Sequence, residues 1–244
     1  MEVHHHAHTP SQKWTHYFWE FFMLFLAVTA GFFVENTREH FVETRREKQF
    51  IRSMISDVKE DISQLDSILL RRHTKLVMMD SLLVILASDD PDKYGDQLYY
   101  FARWLPRTIK VVNNDGTMTQ LKNAGNLRLI RSEASAEIMM EYDQQARFGI
   151  ILEEREESMI LQTYAYLKTI FDARIFDKMV KGMTITRPEG KPKLLINDKA
   201  HISEFYSQVH FLKNVNTYQI EFGEKRLTLA KRVLDVLKHE YNVH

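Results

Sequence analysis

Residues 14–34 read WTHYFWEFFMLFLAVTAGFFV, and they pass without a break into ENTREHFVETRREKQF, residues 35–50. From Phe21 to Val34 the stretch carries no charge. That core is too short to cross a bilayer at about 1.5 Å per residue, but a start at Trp14 supplies the roughly 20 residues a spanning helix needs. Trp14, Tyr17 and Trp19 then suit the headgroup belt, and Glu20 falls near the interface rather than at mid-depth. A cleaved signal would have a basic start and a small-x-small site before a mature chain. Here helix-forming sequence follows directly, so the reading is one membrane-spanning helix.

Outward from that segment, the chain has 244 residues, 33 Lys+Arg against 33 Asp+Glu, and no cysteine. The zero balance argues against a nucleic-acid partner, because counterion release by excess Lys and Arg supplies most of that affinity. Without cysteine there is no thiol nucleophile, disulfide or thiolate metal site. Eight glycines and five prolines are few for this length and favour long helices. The expected organisation is a histidine-rich tail over 1–13, the spanning helix over 14–34 and a helical domain over 35–244.

Ile51, Ile55, Val58, Ile62, Leu65 and Leu69 recur in alternating steps of four and three, a heptad seam that resumes at Leu76, Met79, Leu83 and Leu86. Arg72 interrupts it. The spacing predicts a helix over 35–87, about 80 Å long and continuous with the span. Ser88 to Asp96 is a turn by composition, followed by a short aromatic helix that Pro106 stops; its Tyr99, Tyr100, Phe101 and Trp104 read as core. Thr117 or Thr119 is expected to cap the next short helix, with Gly125 ending it. Ser132 caps a second long helix expected to reach Lys181, the run 182–199 reads as a hairpin or loop, and a last helix covers 200–241. The fold class is therefore all-α, an antiparallel bundle whose first helix continues from the membrane.

FMLFLAVTAGFFVENTREH with RREKQFIRSMISDVKEDISQL, and further on DGTMTQLKNAGNLRLIRSEASAEIMMEYDQQ, resemble a family of bacterial single-pass membrane proteins of unknown function. Its two recurrent blocks are a membrane helix with a juxtamembrane helix and a G-N-L-x-L-I elbow opening a further helix. The resemblance implies a bacterial inner-membrane anchor with the helical domain in the periplasm. Counted by positive charge, Arg38, Arg45, Arg46, Lys48 and Arg52 after the span against Lys13 before it point instead to the cytoplasm.

Several residues are candidates for chemistry. His4, His5, His6 and His8 are able to hold a transition metal weakly, and otherwise form a solvated tail. Ala27 and Gly31 make a small-xxx-small pair for close helix approach in lipid. His16 and Glu20, four apart at the membrane interface, suggest a proton relay, against which stands simple snorkelling to water. The row Glu35, Glu39, Glu43, Glu47 is expected to be answered by Arg38 and Arg46, and the cluster Glu153, Glu154, Glu156, Glu157 to be a solvated helix face. No phosphate loop, H-E-x-x-H or G-x-S-x-G occurs. The expected function is non-enzymatic and cofactor-free: an assembly or scaffold subunit of a bacterial envelope complex, with the lipid bilayer, copies of itself or other envelope proteins as partners, joined through the heptad seam and the small-residue pair. The alternatives are a sensory or solute-binding module working with a partner, and an oligomeric ion or proton conductor.

Overall fold

A computed structural model describes residues 14–182 and 184–243. It is an all-α bundle with one minimal β-hairpin. The elements are α1 (Trp14–Leu86), α2 (Gly95–Trp104), α3 (Gly116–Asn123), α4 (Glu133–Ile170), α5 (Ala173–Lys178), β1 (Val180–Lys181), β2 (Thr184–Ile185) and α6 (Lys199–Tyr241). Short 3-10 turns at Pro91–Tyr94 and Asn126–Leu129 lead into or out of them. The histidines His4, His5, His6 and His8 lie outside the described residues.

The chain divides into two compact units, Met1–Gln49 and Phe50–His244. In the first, α1 carries large apolar side chains that the chain itself leaves uncovered, among them Phe21, Leu24, Phe25, Phe32 and Phe33. This helix is long and apolar enough to cross a membrane.

In the second unit, α1 from Phe50 onward, α4 and α6 are the long members. Between Gly31 and Pro91 the sequence holds neither Gly nor Pro, so nothing interrupts α1. It stops where Ser88 turns its hydroxyl onto the Ile85 carbonyl (2.6 Å) and Pro91 opens a 3-10 turn. Ser132 caps α4, as its sequence suggests, by accepting from the Ser135 N–H. Asp198 caps α6, accepting from the Ala200 and His201 N–H groups at 3.1 Å each, and Asn242 closes its far end at φ 50°.

Two apolar cores result. One joins the last turns of α1 (Met79, Leu82, Leu86) to α2, the end of α4, the hairpin and the start of α6. The other joins Ile51, Ile55 and Val58 of α1 to Met118, Leu121 and Ile130 of the elbow, Met139 of α4, and Val233 and Leu237 of α6. Tyr99 organises the first. Its ring meets Phe171 edge-on at 5.0 Å, and its hydroxyl accepts from the Asp172 N–H (2.9 Å) while donating to the Lys193 carbonyl (3.1 Å). Burial pushes the Tyr99 phenol up from its usual pKa.

Three expectations need correcting. The second long helix ends at Ile170, not Lys181, because Phe171 turns extended to enter the aromatic cluster and Asp172 caps a new helix, α5. The hairpin therefore starts at Val180, turning at Gly182 with φ +62°, and the rest of 186–198 is loop. Neither Thr117 nor Thr119 caps α3; its N-cap is Asp115, without a side-chain bond, and the Thr117 N–H is taken by Asp57. Gly125, at φ +63°, ends the elbow helix in the left-handed conformation expected of it.

Candidate functional site

Between the two cores the bundle has a polar waist, and its purpose is legible in the segment from Arg107 to Thr117. From Arg107 to Asp115 it has no regular structure, and Thr117 lies in the first turn of α3, where N–H groups have no partner within the helix, so these backbone groups need partners elsewhere. Side chains of α1 and α4 provide them. Going down α1, Lys75 donates to the Arg107 carbonyl (2.9 Å) and Arg72 to the Ile109 carbonyl (2.6 Å). Gln64 accepts from the Val112 N–H (3.2 Å), Asp61 from the Asn114 N–H (3.0 Å) and Asp57 from the Thr117 N–H (3.3 Å). From α4, Glu153 accepts from the Val111 N–H (2.9 Å). The residue numbers fall along α1 as they rise along the segment. It is an extended strap antiparallel to α1, bound side chain to backbone.

Two buried charge clusters hold the strap's partners in place. In the first, Glu156 receives Arg72 (3.1 Å), Lys75 (3.3 Å) and the Gln219 amide (2.9 Å). Asn216 of α6 completes it, accepting from Arg72 (3.3 Å) and donating to the Arg72 backbone carbonyl (3.1 Å). Burial pulls the Lys75 ammonium below its usual pKa, against the attraction of Glu156. In the second, Tyr142 donates to Asp61 (2.6 Å), and Arg226 reaches Asn113 (2.6 Å) and Asp61 (3.4 Å) while lying over the Tyr142 ring at 5.3 Å. Burial also drives the Tyr142 phenol upward. Both acids are almost wholly enclosed, at 2% exposure each for Asp61 and Glu156. Buried charges survive only when paired and hydrogen-bonded; the first cluster meets that condition, and the second meets it through the Arg226 terminal nitrogen while the Arg226 Nε–H has no partner.

A cavity of about 20 Å³ separates the clusters, lined by Arg72, Glu153, Gln219 and Arg226 among apolar side chains. This is the size of a water site, too small for an organic solute. Gly149 and Gly223 border it from α4 and α6. A Cβ at Gly149 would stand 3.3 Å from the Phe222 ring and 3.7 Å from the Arg226 guanidinium, and one at Gly223 would stand 2.9 Å from Leu69. Gly149, which looks like a weak point in a helix, makes room for the side chains packed across it. Burial raises the Glu153 carboxyl above its usual pKa, partly offset by the Val111 N–H.

The glutamate cluster on α4 is therefore not one solvated face. Glu156 is buried and Glu153 half-buried, while Glu154 is exposed and Glu157 meets Lys110 at 2.6 Å. Arg72, the break in the heptad seam, is the clamp of the strap. The seam residues Ile51, Ile55, Val58, Leu65 and Leu69 are buried, and Ile62 half-buried, within the chain's own fold, so they are not available to a second subunit. Ala27 is exposed, and a Cβ at Gly31 would meet open space. His16 and Glu20 stand 3.3 Å apart, both half-exposed. Arg38 pairs with Glu35 at 3.0 Å. Among the described residues, no group of three or more His, Cys, Asp or Glu is arranged to hold a metal ion.

These features define an α-helical bundle with one candidate membrane span and a waist whose charges are committed to holding a backbone strap. No family model, curated protein or solved structure matches the chain. The functional reading therefore rests on the residues and their geometry.

Proposed function

We propose that the chain is a single-pass membrane-anchored helical bundle acting as an assembly or scaffold subunit of a bacterial envelope complex, and not as an enzyme. The observation that carries this reading is the uncovered apolar surface of α1 from Phe21 to Val34. A run of phenylalanine, leucine and valine that the chain itself leaves bare needs lipid or another protein to cover it. The bundle's inner charges support the same reading, since Arg72, Lys75, Glu156 and Asp61 are engaged in structural bonds. The sequence resemblance, which no family model matches, implies an inner-membrane address with the bundle in the periplasm; the positive residues after the span favour the opposite side, which makes sidedness a measurement of its own.

Membrane fractionation with alkaline carbonate washing tests the anchor. The full chain is expected in the pellet, and recovery in the wash would refute the proposal. Protease digestion of intact spheroplasts then assigns the side, and native mass measurement of the detergent-extracted protein tests assembly.

A further inference from the structure

With the heptad seam buried, a second seam on α1 remains outside. Leu70, Val77 and Val84 are 69%, 65% and 72% exposed, seven residues apart. Ser67 precedes them and Thr74 and Ser81 lie between them, so the face alternates steps of three and four, the spacing of a two-stranded coiled coil. The hydroxyls of Thr74 and Ser81 donate back to the Leu70 and Val77 carbonyls at 2.9 Å. The face thus presents aliphatic groups and small side chains with those two donors satisfied on their own helix, which suits dry contact with another helix.

Charge selects the occupant and its direction. Asp66 and Arg71 flank the seam on opposite sides, both exposed, and neither has an ion-pair partner among the described residues. They are five residues apart. In a parallel, in-register pair, flanking positions five apart on the two helices face each other, so Asp66 meets the partner subunit's Arg71, and symmetry repeats the pair. An antiparallel pairing centred on Val77 would bring Asp66 opposite position 88, past the end of α1 at Leu86, and so leave it without Arg71. We propose that this face of α1 joins two copies of the chain in parallel register. The proposal rests on the assembly reading above and names its partner, a second copy.

The chain has no cysteine, so introduced thiols report without background. Leu70→Cys, Val77→Cys and Val84→Cys, each placed singly in the full chain in phosphatidylcholine–phosphatidylglycerol vesicles, are each expected to form a disulfide-linked dimer under mild oxidation. Lys231→Cys, exposed on α6 and away from this face, is the unlinked control. Asp66→Arg in the Val77→Cys background should weaken dimerisation about fivefold, from two exposed pairs lost, and adding Arg71→Asp should restore it. Cross-linking of Leu70→Cys to Val84→Cys in mixed samples without same-site links, failure of the charge swap to restore, or silence at all three positions would each overturn the proposal. Silent seam positions in a protein that native mass measurement shows to be oligomeric reject this interface but leave the assembly reading intact. A monomer throughout rejects both.

Discussion

Glu156→Ala is the substitution that most directly interrogates the polar waist. Glu156 receives Arg72, Lys75 and Gln219, and it is 2% exposed. Removing one partner of a buried ion pair costs about 3–5 kcal/mol, because the remaining charge is left without compensation. Lys75 has an escape, since its pKa is already depressed and it is able to lose its proton. Arg72 has none, because a guanidinium stays charged. We therefore expect a loss of about 4 kcal/mol, which at about 2–4 °C per kcal/mol for a domain of this size lowers Tm by roughly 8–16 °C. Far-UV circular dichroism of the detergent-extracted chain reads the shift, with urea unfolding at unchanged m as a check. A triple variant, Arg72→Met, Lys75→Met and Glu156→Leu, separates charge from strap. It removes the buried charges together, but it leaves the Arg107 and Ile109 carbonyls without their donors, at about 1–3 kcal/mol each. It should recover part of the loss and still unfold more easily than the native chain. A cost below about 1 kcal/mol for Glu156→Ala would show that this carboxylate is solvated and refute the reasoning.

Other substitutions test separate links. Glu153 is an acid whose folded pKa is raised, so the folded state holds its proton more tightly than the unfolded state; stability from this group is present below its ordinary value of 4.5 and is lost as pH rises through the folded value. Glu153→Gln keeps an acceptor for the Val111 N–H and should flatten the urea-midpoint profile just above pH 4.5; an unchanged profile would count against the assignment. Gly95→Ala would drive a Cβ into the Pro192 carbonyl oxygen and should cost about 1–3 kcal/mol in urea unfolding, whereas a gain in stability would mean that the loop yields freely. Asp198→Ala removes the acceptor of two N–H groups at the start of α6 and should lower the urea midpoint at neutral pH. Those backbone bonds from His201 and Ala200 lower the Asp198 pKa, so its contribution is full above the ordinary value of 3.8 and fades as pH falls through the folded one; the native chain and the variant should converge in midpoint at acid pH.

The long helices were legible because their signals are local. Absence of Gly and Pro, heptad spacing, Ser132 as a cap and Gly125 as a left-handed stop each depend on a few neighbouring residues. The break at Phe171 was not, since it depends on Tyr99 and Phe205 arriving from distant segments to enclose the ring. The polar waist left a trace: Arg72 stands where the seam demands an apolar residue. That anomaly marked a position, but its meaning lay in the Ile109 backbone carbonyl, 37 residues away, which no local pattern announces. Glu156 was hidden for a similar reason, because four neighbouring glutamates around an arginine look alike until the fold turns one inward.

The strap's antiparallel course along α1 has a mechanical consequence. Its links to Asp57, Asp61, Gln64, Arg72 and Lys75 are spaced along the helix and set crosswise to it. Tension directed along α1 therefore shears these links together instead of unzipping them one after another. Such a lattice yields late and abruptly when it is pulled along that axis.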